Sequence, residues 1–190
     1  EEKYRQKLAS IQTSDIKWFS FEGLKCWARV LKIVDGDTIV VAFPTPTPTP
    51  TSFSCSQNQA TVIITKHYVR LAGINTCELN SPEHVLREHA FAALNFLFDM
   101  LVLGKQETET ETKTKTEMSS YLTKNIVMVY LECGKNDKYG RILGKIYQKD
   151  PVHWKNLCIG QEMIQAKLAF EYHGGKQLSN DEMKERITTI

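Results

Sequence analysis

The sequence predicts an α+β fold that is mostly β: a small Greek-key barrel of five strands with helices on its flanks. Three observations carry this. Five short apolar runs read as strands, the first with clear period-two alternation. One long run with 3.6-residue spacing interrupts them after the third. Asp35-Gly36-Asp37 between the first two runs is a hairpin signal.

In order, residues 1–23 are polar with scattered aromatics (Tyr4, Trp18, Phe19, Phe21) and are expected to form a short helix and linker on the domain surface. The run C-W-A-R-V-L-K-I-V from Cys26 predicts the first strand, and T-I-V-V-A-F from Thr38 the second. P-T-P-T-P-T-P-T-S from Pro44 cannot donate to a ladder at alternate positions, so it reads as an insertion in a surface loop near 44–59. The third strand is expected over Thr61 to Ile74.

Ser81-Pro82-Glu83 then offers a capping hydroxyl, a proline suited to the first turn and an acid beside it. Leu86, Ala90, Ala93, Leu94, Leu97 and Leu101 continue the helix, with Gly104 as its stop. Residues 106–117 alternate threonine with charge and hold no apolar residue, so a second loop insertion is expected near 105–120. Strands follow at Asn125 to Cys133 and Ile142 to Tyr147, joined by a polar turn. A helix over Leu157 to Lys167, a short L-A-F-E-Y element and a terminal helix from Ser179 complete the chain. The expected organisation is an extension over 1–23, one domain over 24–175 and a C-terminal helix over 176–190. Strands in this order, with a helix after the third, are the arrangement of an OB-type barrel.

Composition narrows the classes. At 190 residues and 42% hydrophobic content, one globular core is expected. A net charge of +2 neither requires nor forbids nucleic acid. The five cysteines are widely spaced, odd in number and without a Cys-x-x-Cys, which reads as reduced thiols and an intracellular protein. No apolar run reaches the length of a membrane helix, and no signal-like segment opens the chain, although a targeting segment removed ahead of Glu1 would leave no trace. A monomer is expected. The histidines share no consistent spacing and read as ordinary polar residues.

Two charged foci stand out: R-L-A-G-I-N-T-C-E from Arg70 to Glu78 at the end of the third strand, and D-K-Y-G-R from Asp137 to Arg141. Read alone, each has a structural alternative. Asp35 and Asp37 suit a hairpin turn, Arg70 and Glu78 an ion pair, Arg141 a surface turn, and Tyr139 packing at a barrel edge.

Taken with Asp35-Gly36-Asp37-Thr38, these motifs resemble the staphylococcal nuclease (thermonuclease) family, and N-L-C-I-G-Q-E-M-I-Q-A-K-L-A is similar to its last barrel-packing helix. The resemblance covers roughly residues 25–175 without the two insertions. It implies an OB-fold phosphodiesterase that cuts DNA and RNA with one calcium ion. It further implies Asp37 and Asn75 as calcium ligands, Thr76 as a backbone-carbonyl ligand and Asp35 beside the metal. Glu78 would be the general base, Arg70 and Arg141 the phosphate-binding arginines, and Lys138 and Tyr139 would lie along the nucleotide.

The residue types suit that chemistry: an anionic phosphodiester needs its charge neutralised, and a hard cation with planar guanidinium forks supplies this. The chain departs from the family at three places. Asn75 replaces an aspartate, removing one negative charge from the ion's ligands; Cys77 replaces a proline ahead of Glu78; Lys167 stands where glycine is usual after the helix. A catalytically silent OB-fold module that binds nucleic acid or acts as a scaffold is therefore the alternative. A polyproline-ligand role for the Pro-Thr loop is the weakest reading.

Overall fold

The structure, a computed structural model, describes residues 2–15, 19–45, 63–102, 113–148 and 158–189. Most of the Pro-Thr tract, Cys55, Gly104, residues 106–112 and the expected helix start at Leu157 lie outside the described residues.

Helix α1 (Glu2–Ser10) leads, followed by strands β1 (Lys25–Asp35), β2 (Thr38–Thr45), β3 (Ile63–Leu71) and β4 (Ile74–Asn75). Helices α2 (His84–Val102) and α3 (Lys115–Lys124) come next, then β5 (Val127–Asn136) and β6 (Ile142–Tyr147). Helix α4 (Ile159–Gln165), β7 (Phe170–Glu171) and α5 (Asn180–Thr188) complete the chain. Five strands close a barrel in the order β1-β2-β3-β6-β5, as expected of an OB-type fold, while β4 and β7 form a separate two-stranded pair.

Alternation explains which faces are inside. In β1, Ala28 and Val30 point to the core, and a register shift between Val30 and Lys32 moves the buried position to Ile33. Every barrel pairing is antiparallel except β3 with β6, where Val69, Arg70 and Leu71 run parallel to Ile142, Leu143 and Gly144. The apolar stripe of α2, from Leu86 through Leu101, covers the barrel, and a second cluster joins Leu86 and Ala90 to Cys77, Phe170 and Met183 of α5. The described side chains of α1 are exposed, Leu8 among them, and of the described N-terminal aromatics Phe21 is buried against Phe43 and His67 while Phe19 meets its ring edge-on and stays exposed.

Three expected boundaries change. The third strand stops at Leu71 because Gly73 turns the chain at φ +83°, so Ile74 and Asn75 pair with β7 instead. The long helix begins at His84, with the Ser81 hydroxyl accepting from the Glu83 amide. The loop insertion expected near 105–120 gives way to α3 at Lys115. Thr114 and Glu117 form a capping box, each side chain bonding the other's backbone amide, and Met118 and Leu122 bury one face. That pattern outweighs the alternating polar composition before it.

Candidate active site

The site starts at the β1–β2 hairpin. Asp35 Oδ1 accepts from the Asp37 amide at 3.2 Å, and the Asp37 carbonyl accepts from the Leu71 amide at 2.8 Å, so the turn is tied to the end of β3. Gly36 allows a close approach: a Cβ there would stand 3.0 Å from the Ala93 Cβ and 3.0 Å from the Thr76 hydroxyl. The turn, Thr76 and α2 are thus packed together.

Register brings Arg70 beside this turn, because Thr38 is its cross-strand partner. Its guanidinium is buried and held at both terminal nitrogens. Nη1 donates to Asp37 Oδ2 at 2.6 Å, and Nη2 donates to Asn75 Oδ1 at 2.8 Å and to the Ile74 carbonyl at 3.3 Å. Asp37 Oδ1 accepts from the Thr38 hydroxyl at 2.9 Å, and Asn75 Oδ1 also accepts from Gln177 Nε2 at 3.3 Å. The Tyr172 ring lies 5.6 Å from the guanidinium carbon. An ion pair does form at Arg70, then, but its partner is Asp37 and not Glu78.

The second arginine is placed by its own turn. Asp137 accepts from the amides of Tyr139 (2.8 Å) and Arg141 (2.9 Å) and from Arg141 Nε (2.7 Å). Gly140, at φ +82°, closes the turn. Arg141 Nη1 then reaches across β3 to the Thr38 hydroxyl at 3.5 Å. Tyr139 is 72% exposed, which argues against barrel-edge packing, and both Lys138 (4.9 Å) and Arg141 (5.5 Å) lie over its ring.

These groups open onto one cleft of about 780 Å³, whose lining includes Arg70, Arg141, Lys138, Tyr139, Tyr172 and Gln177. Asp37, Asn75 and Thr76 are buried next to it. Glu78 is not brought to the same place: it is exposed, lies outside that lining, and its carboxylate makes no hydrogen bond or ion pair among the described residues.

Burial pushes the Asp37 carboxylic acid up to about 6, against the opposing pull of Arg70. At Asp137 burial also works upward, but the hydrogen bonds from Arg141 and the turn amides outweigh it and hold the group below its ordinary range. The oxygens of Asp37 and Asn75, bridged by one guanidinium with Thr76 next in the chain, are hard donors of the kind calcium takes. Among the described residues no three of His, Cys, Asp and Glu gather as a metal cluster. A cation here would be held by one buried carboxylate and neutral oxygens, a low-charge set with correspondingly weak affinity.

Several contributors escape a reading of the motifs. Tyr172 and Gln177 come from the far end of the chain and meet Arg70 and Asn75 only through the β4–β7 pair. Asp137 was visible inside D-K-Y-G-R, and its spacing of four from Arg141 was the available signal. Of the departures from the family pattern, Cys77 is a buried packing residue whose Sγ lies 3.9 Å from Met183 Sδ, and burial, aided by Glu78, raises its thiol to about 11. Lys167 adopts the left-handed conformation that glycine favours, at φ +59°, and its carbonyl bonds to His89 Nε2 at 2.9 Å.

A closed five-stranded barrel carrying buried carboxylate, amide and guanidinium groups at one strand end is an OB-type fold with a polar site. The family model described as Staphylococcal nuclease homologue matches residues 68–189, and the chain belongs to that family. The matched region begins in β3 and runs through α5, so it includes Arg70, Asn75, Glu78 and Arg141. A search of curated proteins found no match. Members of this family are generally nuclease hydrolases. No helix among the described residues is long and apolar enough to cross a membrane.

Proposed function

We propose that the chain is a calcium-assisted phosphodiesterase that hydrolyses DNA or RNA with little regard to base sequence. The observation that carries this reading is the convergence of Arg70 and Arg141 on one cleft, each oriented by a carboxylate behind it. Two planar forks facing one cavity suit the non-bridging oxygens of a phosphodiester. Lys138 and Tyr139 would contact the nucleotide beyond the phosphate, and nothing in this set reads base edges.

Asp37, Asn75 and the Thr76 carbonyl would hold the calcium ion, with Asp35 steadying Asp37 through its amide. When bound, that ion supplies positive charge at the phosphate. Arg141 binds and orients the phosphate from the open side of the cleft, and Arg70 does so from the buried side while remaining anchored to Asp37. Glu78, exposed just after Asn75 and Thr76 and outside the cleft lining, is the carboxylate that would take the proton of the attacking water once its side chain turns toward the cleft. The test is cleavage of a single-stranded oligonucleotide in calcium against a chelator control. Cleavage should vanish with the chelator and fall sharply in Arg141→Ala and in Glu78→Gln; unchanged cleavage in both variants removes the assigned roles.

One observation favours a second reading, a binding or scaffold module without cleavage. Asn75 removes a charge from the ion's ligands, and Arg70 already bonds one oxygen of Asp37 and the amide oxygen of Asn75. Tight oligonucleotide binding with no hydrolysis at saturating calcium would select it.

A further inference from the structure

Outside the cleft, the surface between β1 and α3 forms a groove of about 650 Å³. Lys32, Lys115 and Lys124 line it, and among the described residues no acidic side chain does. The rest of its α3 wall is hydroxylic, from Thr116, Ser119, Ser120 and Thr123. This helix turns Met118 and Leu122 to the core, so the cationic and hydroxylic face is its solvent side. Glu117, the acid of the same helix, is tied back into the capping box. Lys115 Nζ donates to the Val34 carbonyl, fixing the groove's floor one residue before Asp35.

The groove connects to the candidate site across the outer barrel face. Lys32 pairs with Val40, and Val40 pairs with Tyr68. Tyr68 stands on β3 two residues before Arg70, hence on the same face of the strand, and is 56% exposed. A cation, an exposed aromatic ring and then a phosphate-binding arginine form one lane from α3 to the cleft.

We infer that this lane binds the continuation of a single-stranded nucleic acid whose reacting phosphate lies in the cleft. The backbone follows Lys32, Lys124 and the α3 hydroxyls, and a base rests on Tyr68. The inference rests on the proposed nucleic-acid reading of the cleft and names the form of substrate it takes. Charge complementarity and continuity with the cleft select this occupant: lysines with hydroxyls and, among the described residues, no acids suit a phosphate backbone, and an open ring suits any base.

The experiment is fluorescence anisotropy of labelled oligothymidylates in chelator, so that nothing is cut. One probe has about 20 nucleotides, longer than a single OB fold covers, and the other about 4. The double variant Lys32→Gln/Lys124→Gln should bind the long probe roughly tenfold more weakly, with a salt slope shallower by about 1.4, two contacts at about 0.7 each. Tyr68→Ala should weaken the long probe roughly tenfold without changing that slope. Binding of the short probe should stay as in the wild type. A control pair on α1, Lys3→Gln/Lys7→Gln, removes the same charge away from the lane and should change neither.

Wild-type affinity and slope for the long probe in the Lys32/Lys124 variant would overturn the lane while leaving the cleft reading intact. Equal weakening by the α1 control would overturn it as well, by assigning the effect to net charge. A wild-type protein that binds neither probe would overturn the cleft reading and the lane together. Lysine-dependent binding to phosphatidylserine vesicles with no binding of oligonucleotide would replace the lane with a membrane-facing surface.

Discussion

At Asn75 the amide oxygen that would face a cation already accepts from Arg70 and Gln177, which ties the cation's affinity to a competition with a guanidinium. Asn75→Asp should raise calcium affinity roughly tenfold by adding a ligand charge, measured by titration calorimetry, and should raise cleavage at limiting calcium. The two arginines predict different phenotypes. Arg141 is part-buried and leans on Asp137, so Arg141→Ala should cost about 100-fold or more in cleavage with little change in denaturation midpoint. Arg70→Ala strands the buried Asp37 carboxylate and should also cost about 3 kcal/mol of stability by urea denaturation. The hairpin, strand-end and turn motifs were legible because each is contiguous and its residue types are tied to chemistry. Arg70's engagement with Asp37 and Asn75, and the absence of Glu78 from the cleft lining, were not legible. They depend on where the Gly73 turn sends the chain after β3.

Among the elements, α3 shows how a local signal is hidden by its surroundings. Thr114 to Glu117 is a capping box placed directly after a run of alternating threonine and charge, and the run's composition masked it. Thr114→Ala should cost about 1 kcal/mol, read as faster amide exchange confined to α3. At the end of α4, the left-handed Lys167 carries a backbone cost that glycine would not. Lys167→Gly should therefore stabilise the protein by up to about 1 kcal/mol, seen as a higher urea midpoint. The strands themselves followed from their apolar runs to within a few residues, since barrel closure demands a buried face on each. The β4–β7 pair was not visible because two-residue strands carry no periodicity.

For the molecule as a whole, acid sensitivity has an identifiable contributor in His67. Burial among Phe21 and Phe43 lowers its pKa below 6.5, so the unfolded chain binds the proton more readily than the folded one. The stabilisation is full above the unfolded value and is lost as pH falls through 6.5 towards the lower folded value. Asp37, raised to about 6, works in the opposite sense over part of this range, so the His67 contribution is read by difference: the wild-type urea midpoint minus that of His67→Phe should fall as pH drops from about 8 through 6.5. The barrel's closure has a different consequence. The chain's two halves meet along two seams, β1–β5 and the parallel β3–β6, and the cleft lies at the second: Asp37, Arg70 and Asn75 come from before α3, while Asp137, Arg141 and Tyr172 come after it. Arg141 reaches Thr38 over that seam, so neither half contains a complete cleft. The cleft is thus missing from a nascent or half-folded chain and complete only once the last strands have docked.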